Sequence, residues 1–293
     1  KALDYDINAP KIYVDVHDVV PRGEFNQSRL KSVTKILFKS NAQRLYYPDI
    51  PDDKCVVIPH GLDIEEFDSQ RDSIDKNIFR IINTSSPDRG LKTSIKIVKK
   101  VYDKLPENLR GKLKFSHYYG FNVWDSEFSD DKDMVAWKAD AVAQMKELMD
   151  IGVMTSDSGV RVSQREITKK YLESGILLYP SEFFEIGFIS GIKAMIAGCI
   201  PFTTNVFAQG EFMKDGIMVG SNVGYENWAR NITDGGDYGV KDEKQIDAFV
   251  DYIIDYLSNP NKYNDMRNKL ISYARDTFSW EKTAKLWIDE FVL

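Results

Sequence analysis

Short, almost wholly apolar runs alternate along the chain with longer stretches in which apolar residues recur every three or four positions. The short runs are Lys11–Val16, Thr34–Lys39, Lys54–Pro59, Asn77–Asn83, Lys112–Tyr118, Gly175–Tyr179, Cys199–Thr204 and Gly216–Val219. Gly175-Ile176-Leu177-Leu178-Tyr179 has no charged position, the pattern of a strand covered on both faces. Leu91–Leu105 sets Leu91, Ile95, Val98, Tyr102 and Leu105 on one helical face. Asp133–Met149 does the same with Met134, Trp137, Ala141, Met145 and Leu148. Gln164–Ser174, Ile189–Ala197 and Gln245–Leu257 complete the helical set, with a last helix from Trp280 through Trp287 to Val292. Alternating strands and helices predict an α/β fold with a mainly parallel sheet.

The polar stretch Asp68–Lys76 separates two strand signals and suggests a boundary. We divide the chain into residues 1–72, the back half of a first domain, residues 73–278, a full α/β unit, and residues 279–293, a helix that crosses back. The first segment holds three strands but too few helices to cover both faces of a parallel sheet. An uncovered edge invites pairing with another chain. The expectation is further polypeptide before Lys1, or self-association.

The 293 residues are 43% hydrophobic and 29% charged, enough apolar content for packed cores. The net charge of -6 argues against binding nucleic-acid backbones, which needs a basic surface. No uninterrupted apolar run reaches the ~18 residues of a membrane span, and the start Lys1-Ala2-Leu3-Asp4 has no secretory signal pattern. A cytoplasmic location is the expectation. Two cysteines and three histidines exclude a disulfide scaffold or a four-cysteine zinc site.

In open α/β sheets ligands bind beyond the carboxyl ends of the strands, so the loops after the strands hold the candidate chemistry. Asn83-Thr84-Ser85-Ser86-Pro87-Asp88-Arg89-Gly90 opens a helix. Its hydroxyls, Arg89 and free N–H groups suit a diphosphate; alternatively Asp88 simply caps the helix and Arg89 is solvated. Tyr179-Pro180-Ser181-Glu182-Phe183-Phe184-Glu185-Ile186-Gly187-Phe188-Ile189 sets two carboxylates in an apolar loop. They meet sugar hydroxyls, or they cap the next helix. His17-Asp18 and Pro59-His60-Gly61 also follow strands, where a histidine is either a ligand contact or structural. Asp131-Lys132-Asp133 reads as a metal-binding pair or as a solvated first turn.

Taken in order, these segments resemble the retaining, GT-B fold glycosyltransferases of family 4. The resemblance runs through His17-Asp18, Lys39-Ser40-Asn41 and Val57-Ile58-Pro59-His60-Gly61-Leu62-Asp63 to Ser85–Leu91. Its most specific part is Tyr179–Thr204, and Phe278-Ser279-Trp280-Glu281 closes it. The resemblance implies a Rossmann-like C-terminal domain that binds a nucleotide sugar, facing a partial Rossmann-like N-terminal domain. It implies metal-independent transfer of a hexosyl group from a UDP- or GDP-sugar co-substrate to a glycan or glycoconjugate acceptor, with no other cofactor. By position, Glu185 meets donor-sugar hydroxyls, and backbone N–H groups around Gly187, Phe188 and Ile189 face sugar and phosphates. Arg89 falls at a diphosphate-binding position, Ser85 and Ser86 where a second cation is usual. Arg161 and Val162 match the base-contacting loop, and His17 the histidine that reaches the sugar. Where the family has a second glutamate for the ribose, eight positions after the first, this chain has Lys193. A lysine cannot accept from ribose hydroxyls, so Lys193 turns to phosphate or the ribose is held otherwise. That departure keeps a catalytically weakened nucleotide- or glycan-binding relative as the alternative.

Overall fold

The computed structural model describes residues 7–155, 158–221 and 237–291. Among these residues eight strands form two parallel sheets. The smaller has the order β1-β2-β3, with β1 at Tyr13–Asp15, β2 at Lys35–Phe38 and β3 at Cys55–Val57. The larger has the order β5-β4-β6-β7-β8. Its strands are β4 (Asn77–Asn83), β5 (Lys114–His117), β6 (Ser174–Tyr179), β7 (Ile200–Thr204) and β8 (Ile217–Val219). Every strand read from the apolar runs is present: Asn77–Asn83 is unchanged, Gly175–Tyr179 gains Ser174, and the others are trimmed by at most a few residues.

Helices fill the crossovers. In chain order they are α1 (Gln27–Leu30), α2 (Asn41–Leu45), α3 (Ile64–Arg71), α4 (Leu91–Lys104), α5 (Glu107–Arg110), α6 (Asn122–Glu127) and α7 (Lys132–Asp150). Then follow α8 (Gln164–Glu173), α9 (Ile189–Ala197), α10 (Phe207–Phe212), α11 (Glu243–Ser258), α12 (Asn264–Phe278) and α13 (Trp280–Phe291). Val292, the expected end of the last helix, lies outside the described residues.

The larger sheet is covered on both faces, which is why β6 can be buried at every position. One face packs α4, α7 and α11 through Ile95, Val98, Leu148, Phe249 and Ile253. The other packs α8, α9 and α12 through Tyr171, Ile192, Met195, Leu270 and Phe278. Much of the polar stretch at residues 68–76 is the end of α3, a helix capped by Asp63, which drives Phe67 into that second face. Arg71 Nη2 donates to Ile196 O at 2.8 Å and fixes the helix to α9.

The smaller sheet has its own core of Val16, Phe25, Ile36, Phe38, Tyr47 and neighbours, into which Phe184 inserts from the loop after β6 and Phe207 from the start of α10. α13 then returns across it. Trp280 N donates to Leu62 O, Phe291 packs 4.2 Å from Tyr13, and Lys39 Nζ lies 5.5 Å from the Trp287 ring. The two sheets are thus joined by interdigitated loops and by one helix, and the strand ends of the larger sheet face the smaller across a cleft.

Candidate active site

The cleft holds a cavity of about 260 Å³ whose wall combines three loops of the larger sheet with two histidines of the smaller: His17, His60, Thr84–Ser86, Arg89, Tyr119 and Glu185–Ser190. A second, smaller hollow of about 150 Å³ shares Thr84, Tyr119, Ile189 and Ser190 and extends to Tyr118, Arg161, Val162, Gln164, Tyr171 and Lys193. The residues that the family resemblance assigns to the donor, from His17 and Arg89 to Glu185 and Lys193, line one of the two, whereas Asp18, Asp88, Glu182 and Asp131–Asp133 line neither.

The loop after β4 is shaped by Gly90. Its φ is +94°, and a Cβ there would sit 2.8 Å from Pro180 O, so no side chain fits. Asp88 does not cap α4: Gly90 is the N-cap and supplies no side chain. Asp88 instead accepts Tyr238 N on its backbone oxygen. That leaves Arg89 to turn inward. Its guanidinium lies 3.8 Å over the Phe183 ring, and Nη1 donates to Glu185 Oε1 at 2.8 Å. Burial works against its charge, but Glu185, Tyr179 and Asp88 together outweigh it and the group stays cationic.

The two acids of the loop after β6 part company. Glu182 turns away, accepts Ser221 Oγ at 2.6 Å, and is pushed toward its neutral form by burial. Glu185 stays on the cavity wall with 14% of its side chain exposed, taking Arg89 and the Tyr179 hydroxyl at 2.7 Å. Neither acid caps α9. The N-cap of α9 is Phe188, held at φ +29°, and no side chain satisfies the first N–H groups there. A non-glycine residue with positive φ is strained, and this one sits where the helix N-terminus opens on the cleft. An uncapped N-terminus is a ready anion site.

Gly187 is a close-approach glycine. A Cβ there would lie 2.9 Å from His60 Nε2 and closer still to the ring carbon, so the imidazole packs directly on the backbone. Burial, with the charges of Lys39 and His17 adding, holds His60 down at about 4, so it is neutral at physiological pH. His17 is more open, at 62% side-chain exposure, and Asp15 Oδ2 lies 2.6 Å from its Nε2. The buried Lys39 pairs with the other oxygen of Asp15. His17 is therefore fixed by a carboxylate that is itself fixed, the arrangement that orients an imidazole for work.

In the second hollow Lys193 Nζ donates to Gln164 Oε1 at 2.6 Å, and burial lowers its pKa. Arg161 and Val162 precede α8, which starts with a full capping box between Ser163 and Glu166. Among the described residues no acidic side chain lines this hollow. Elsewhere, Asp131 caps α7 by accepting Asp133 N and Met134 N. The Asp131–Asp133 stretch is exposed and outside both hollows. Among the described residues no three His, Cys, Asp or Glu side chains gather as a metal would need.

Sequence reasoning gave no site role to Tyr119, Tyr179, Asp15 or Lys39, although Lys39 and Tyr179 lie in segments that carry the resemblance. Tyr119 follows β5, so the rule of inspecting every strand's end would have found it. Tyr179 is the last residue of a buried strand and reads as core.

No protein-family model and no curated protein sequence matches the chain. Solved structures do. A TarM variant from S. aureus, solved with Fondaparinux, alpha-GlcNAc-glycerol and UDP, superposes with a TM-score of 0.65 at 12% identity over 95% of this chain. A glycosyltransferase from Rickettsia africae gives 0.66 at 13% identity over 95%. Anabaena HepE, solved with UDP and glucose, gives 0.64 at 12% identity over 96%. This chain spans 50%, 69% and 71% of those three chains respectively. The likeness establishes the fold: two parallel Rossmann-like sheets facing across a cleft, the GT-B arrangement of glycosyltransferases. No described helix is long and apolar enough to cross a membrane.

Proposed function

We propose that the protein is a glycosyltransferase that moves a hexosyl group from a UDP- or GDP-sugar to a glycan or glycoconjugate acceptor, with retention at the anomeric carbon. The observation that carries this is the order of chemistry along the joined hollows. A fixed carboxylate and two histidines line one end, an uncapped helix N-terminus lies in the middle, and tyrosines and cations line the other. A nucleotide sugar has that order of parts: polyhydroxyl, diphosphate, aromatic base. Glu185 accepts from sugar hydroxyls, and the N–H groups at Ile189 and Ser190 take the diphosphate. As the bond from anomeric carbon to diphosphate oxygen breaks, negative charge grows on the leaving group beside that N-terminus, where fixed dipoles stabilise it. Arg89 lies between carboxylate and phosphate positions and serves both. The solved UDP complexes of TarM and HepE support the donor class. Retention rests on the family resemblance.

The acceptor side is a depression of about 650 Å³ beyond His17, floored by Val14, Val16, Val20 and Phe25. Both edges of the three-stranded sheet are unpaired among the described residues, so we also propose that further polypeptide or a second copy completes this wall. We further propose that the reaction takes place in the cytoplasm and that it needs no metal, since Arg89 and the α9 N-terminus supply the positive charge.

A thermal-shift screen over UDP, GDP and nucleosides tests the donor; ligand at 100 times its Kd adds ~2.7 kcal/mol. Release of sugar from UDP- or GDP-sugar tests catalysis, and loss of that activity with chelator, restored by Mn²⁺, would sink the metal-free reading. Arg89→Ala should weaken UDP far more than uridine. The second reading, a binding protein without turnover, is favoured by Lys193, a donor standing where the resemblance leads one to expect a ribose-binding carboxylate. Nucleotide binding with no donor hydrolysis would establish it.

A further inference from the structure

We infer that Tyr179 is the positioning residue of Glu185: its hydroxyl anchors one oxygen of the carboxylate so that the other is presented to a donor-sugar hydroxyl. This rests on the donor reading above. Tyr179 ends β6 and is fully buried, its ring 4.7 Å from that of Phe188 at the start of α9. A phenylalanine would fill the same space. A buried hydroxyl without a partner is destabilising, so the position tolerates tyrosine only because something receives its hydrogen bond. That receiver is Glu185 Oε1, at 2.7 Å. Arg89 Nη1 reaches the same oxygen, at 2.8 Å. Two donors fill the acceptor capacity of Oε1, while Oε2 has no partner among the described residues.

The two donors are not equivalent. Arg89 lies beside the phosphate position and is drawn toward an anion when one arrives. Tyr179 is not drawn toward a phosphate: it is wholly buried, with the Ser181 hydroxyl as its other side-chain neighbour, and burial raises its phenol pKa far above the ordinary value, so it remains a protonated donor throughout. It is therefore the anchor that persists with ligand bound. A carboxylate held in one orientation contributes more to a bound sugar than one that rotates, because the ordering is done before the ligand comes.

The test measures UDP and UDP-glucose affinities, with GDP and GDP-mannose as the second pair, by calorimetry on wild type, Tyr179→Phe, Glu185→Gln and the double variant. Tyr179→Phe should bind the nucleotide within about twofold of wild type but the nucleotide sugar ~5–10-fold more weakly, a loss the double variant does not add to that of Glu185→Gln. Unchanged nucleotide-sugar affinity in Tyr179→Phe, or additive losses, overturns the positioning role. An equal loss for nucleotide and nucleotide sugar makes Tyr179 merely structural and also overturns it. A wild-type protein that binds none of the four overturns the donor reading itself, and the inference with it.

Discussion

At the scale of single residues the cleft is held by side chains that fix one another. Glu185→Ala should cut donor turnover on the order of 10²-fold or more, since a positioned hydrogen bond to the reacting sugar is worth that much; near-wild-type turnover in a steady-state assay would remove Glu185 from the reaction. Gly187→Ala tests the packing of the histidine on the backbone. The added methyl must displace His60, and both stability and donor affinity should fall, read by chemical denaturation and calorimetry. His60 also sets a pH dependence. Its folded value of about 4 lies below the ordinary 6.5. As pH falls from about 6.5 toward 4, the unfolded chain takes up a proton that the folded chain refuses, so stability drops over that window and levels off below it. His117, fully buried and held at about 3, acts with the same sign. Denaturation of His60→Gln across this range should show a shallower acid decline than wild type. An unchanged slope would mean that His60 titrates normally. Glu185, Arg89 and His17 were all legible in the sequence because charged or ionisable residues beside apolar strand ends need a reason to be there. Their mutual bonds were not, because the Arg89–Glu185 pair spans 96 positions of chain.

At the scale of elements, strands were the most readable feature. Runs such as Ile176–Tyr179 allow no other placement, because a wholly apolar segment must be covered on both sides. Helices with a strong apolar stripe, such as α4 and α11, were equally clear. α3 was not. It buries Phe67 alone among polar neighbours, so its sequence resembles a linker, and only contact with α8 and α9 shows why it is helical. α12 was passed over for a similar reason: Leu270, Ala274 and Phe278 are buried on a helix otherwise rich in polar residues. α8 carries a local signal that is stronger than its stripe. Ser163 Oγ accepts Glu166 N while Ser163 N donates to Glu166 Oε2. Ser163→Ala should cost about 1 kcal/mol. Because the same turn sets Arg161 and Gln164 in the second hollow, nucleotide affinity should fall with it. Loss of stability with unchanged UDP and GDP affinity would show that the hollow does not depend on this cap.

At the scale of the whole molecule the cleft exists because the two sheets are held at a fixed separation. Sequence patterns predict each sheet but not the seam, since the seam is made by residues that look like ordinary loop and surface positions. Glu211 on α10 is one. Its two oxygens accept Asn41 N at 3.1 Å, Asn41 Nδ2 at 2.9 Å and Ala42 N at 2.7 Å, so a carboxylate of the larger unit caps α2 of the smaller. A cap of this kind contributes about 0.5–2 kcal/mol, with a further gain from a negative charge at a helix start. The larger sheet alone supplies the lining of the second hollow, Thr84, Tyr119, Arg161 and Lys193 among it, whereas His17 and His60 reach the first from the smaller sheet's side. Glu211→Ala should therefore lower the stability measured by denaturation and loosen the histidine side of the cleft. Donor turnover should fall several-fold while affinity for the nucleotide alone stays within about twofold of wild type. Parallel loss of nucleotide affinity would mean that the nucleotide contacts both units. Unchanged turnover with reduced stability would mean that the sheets keep their separation without this cap, through the inserted Phe184 and Phe207 and the return of α13.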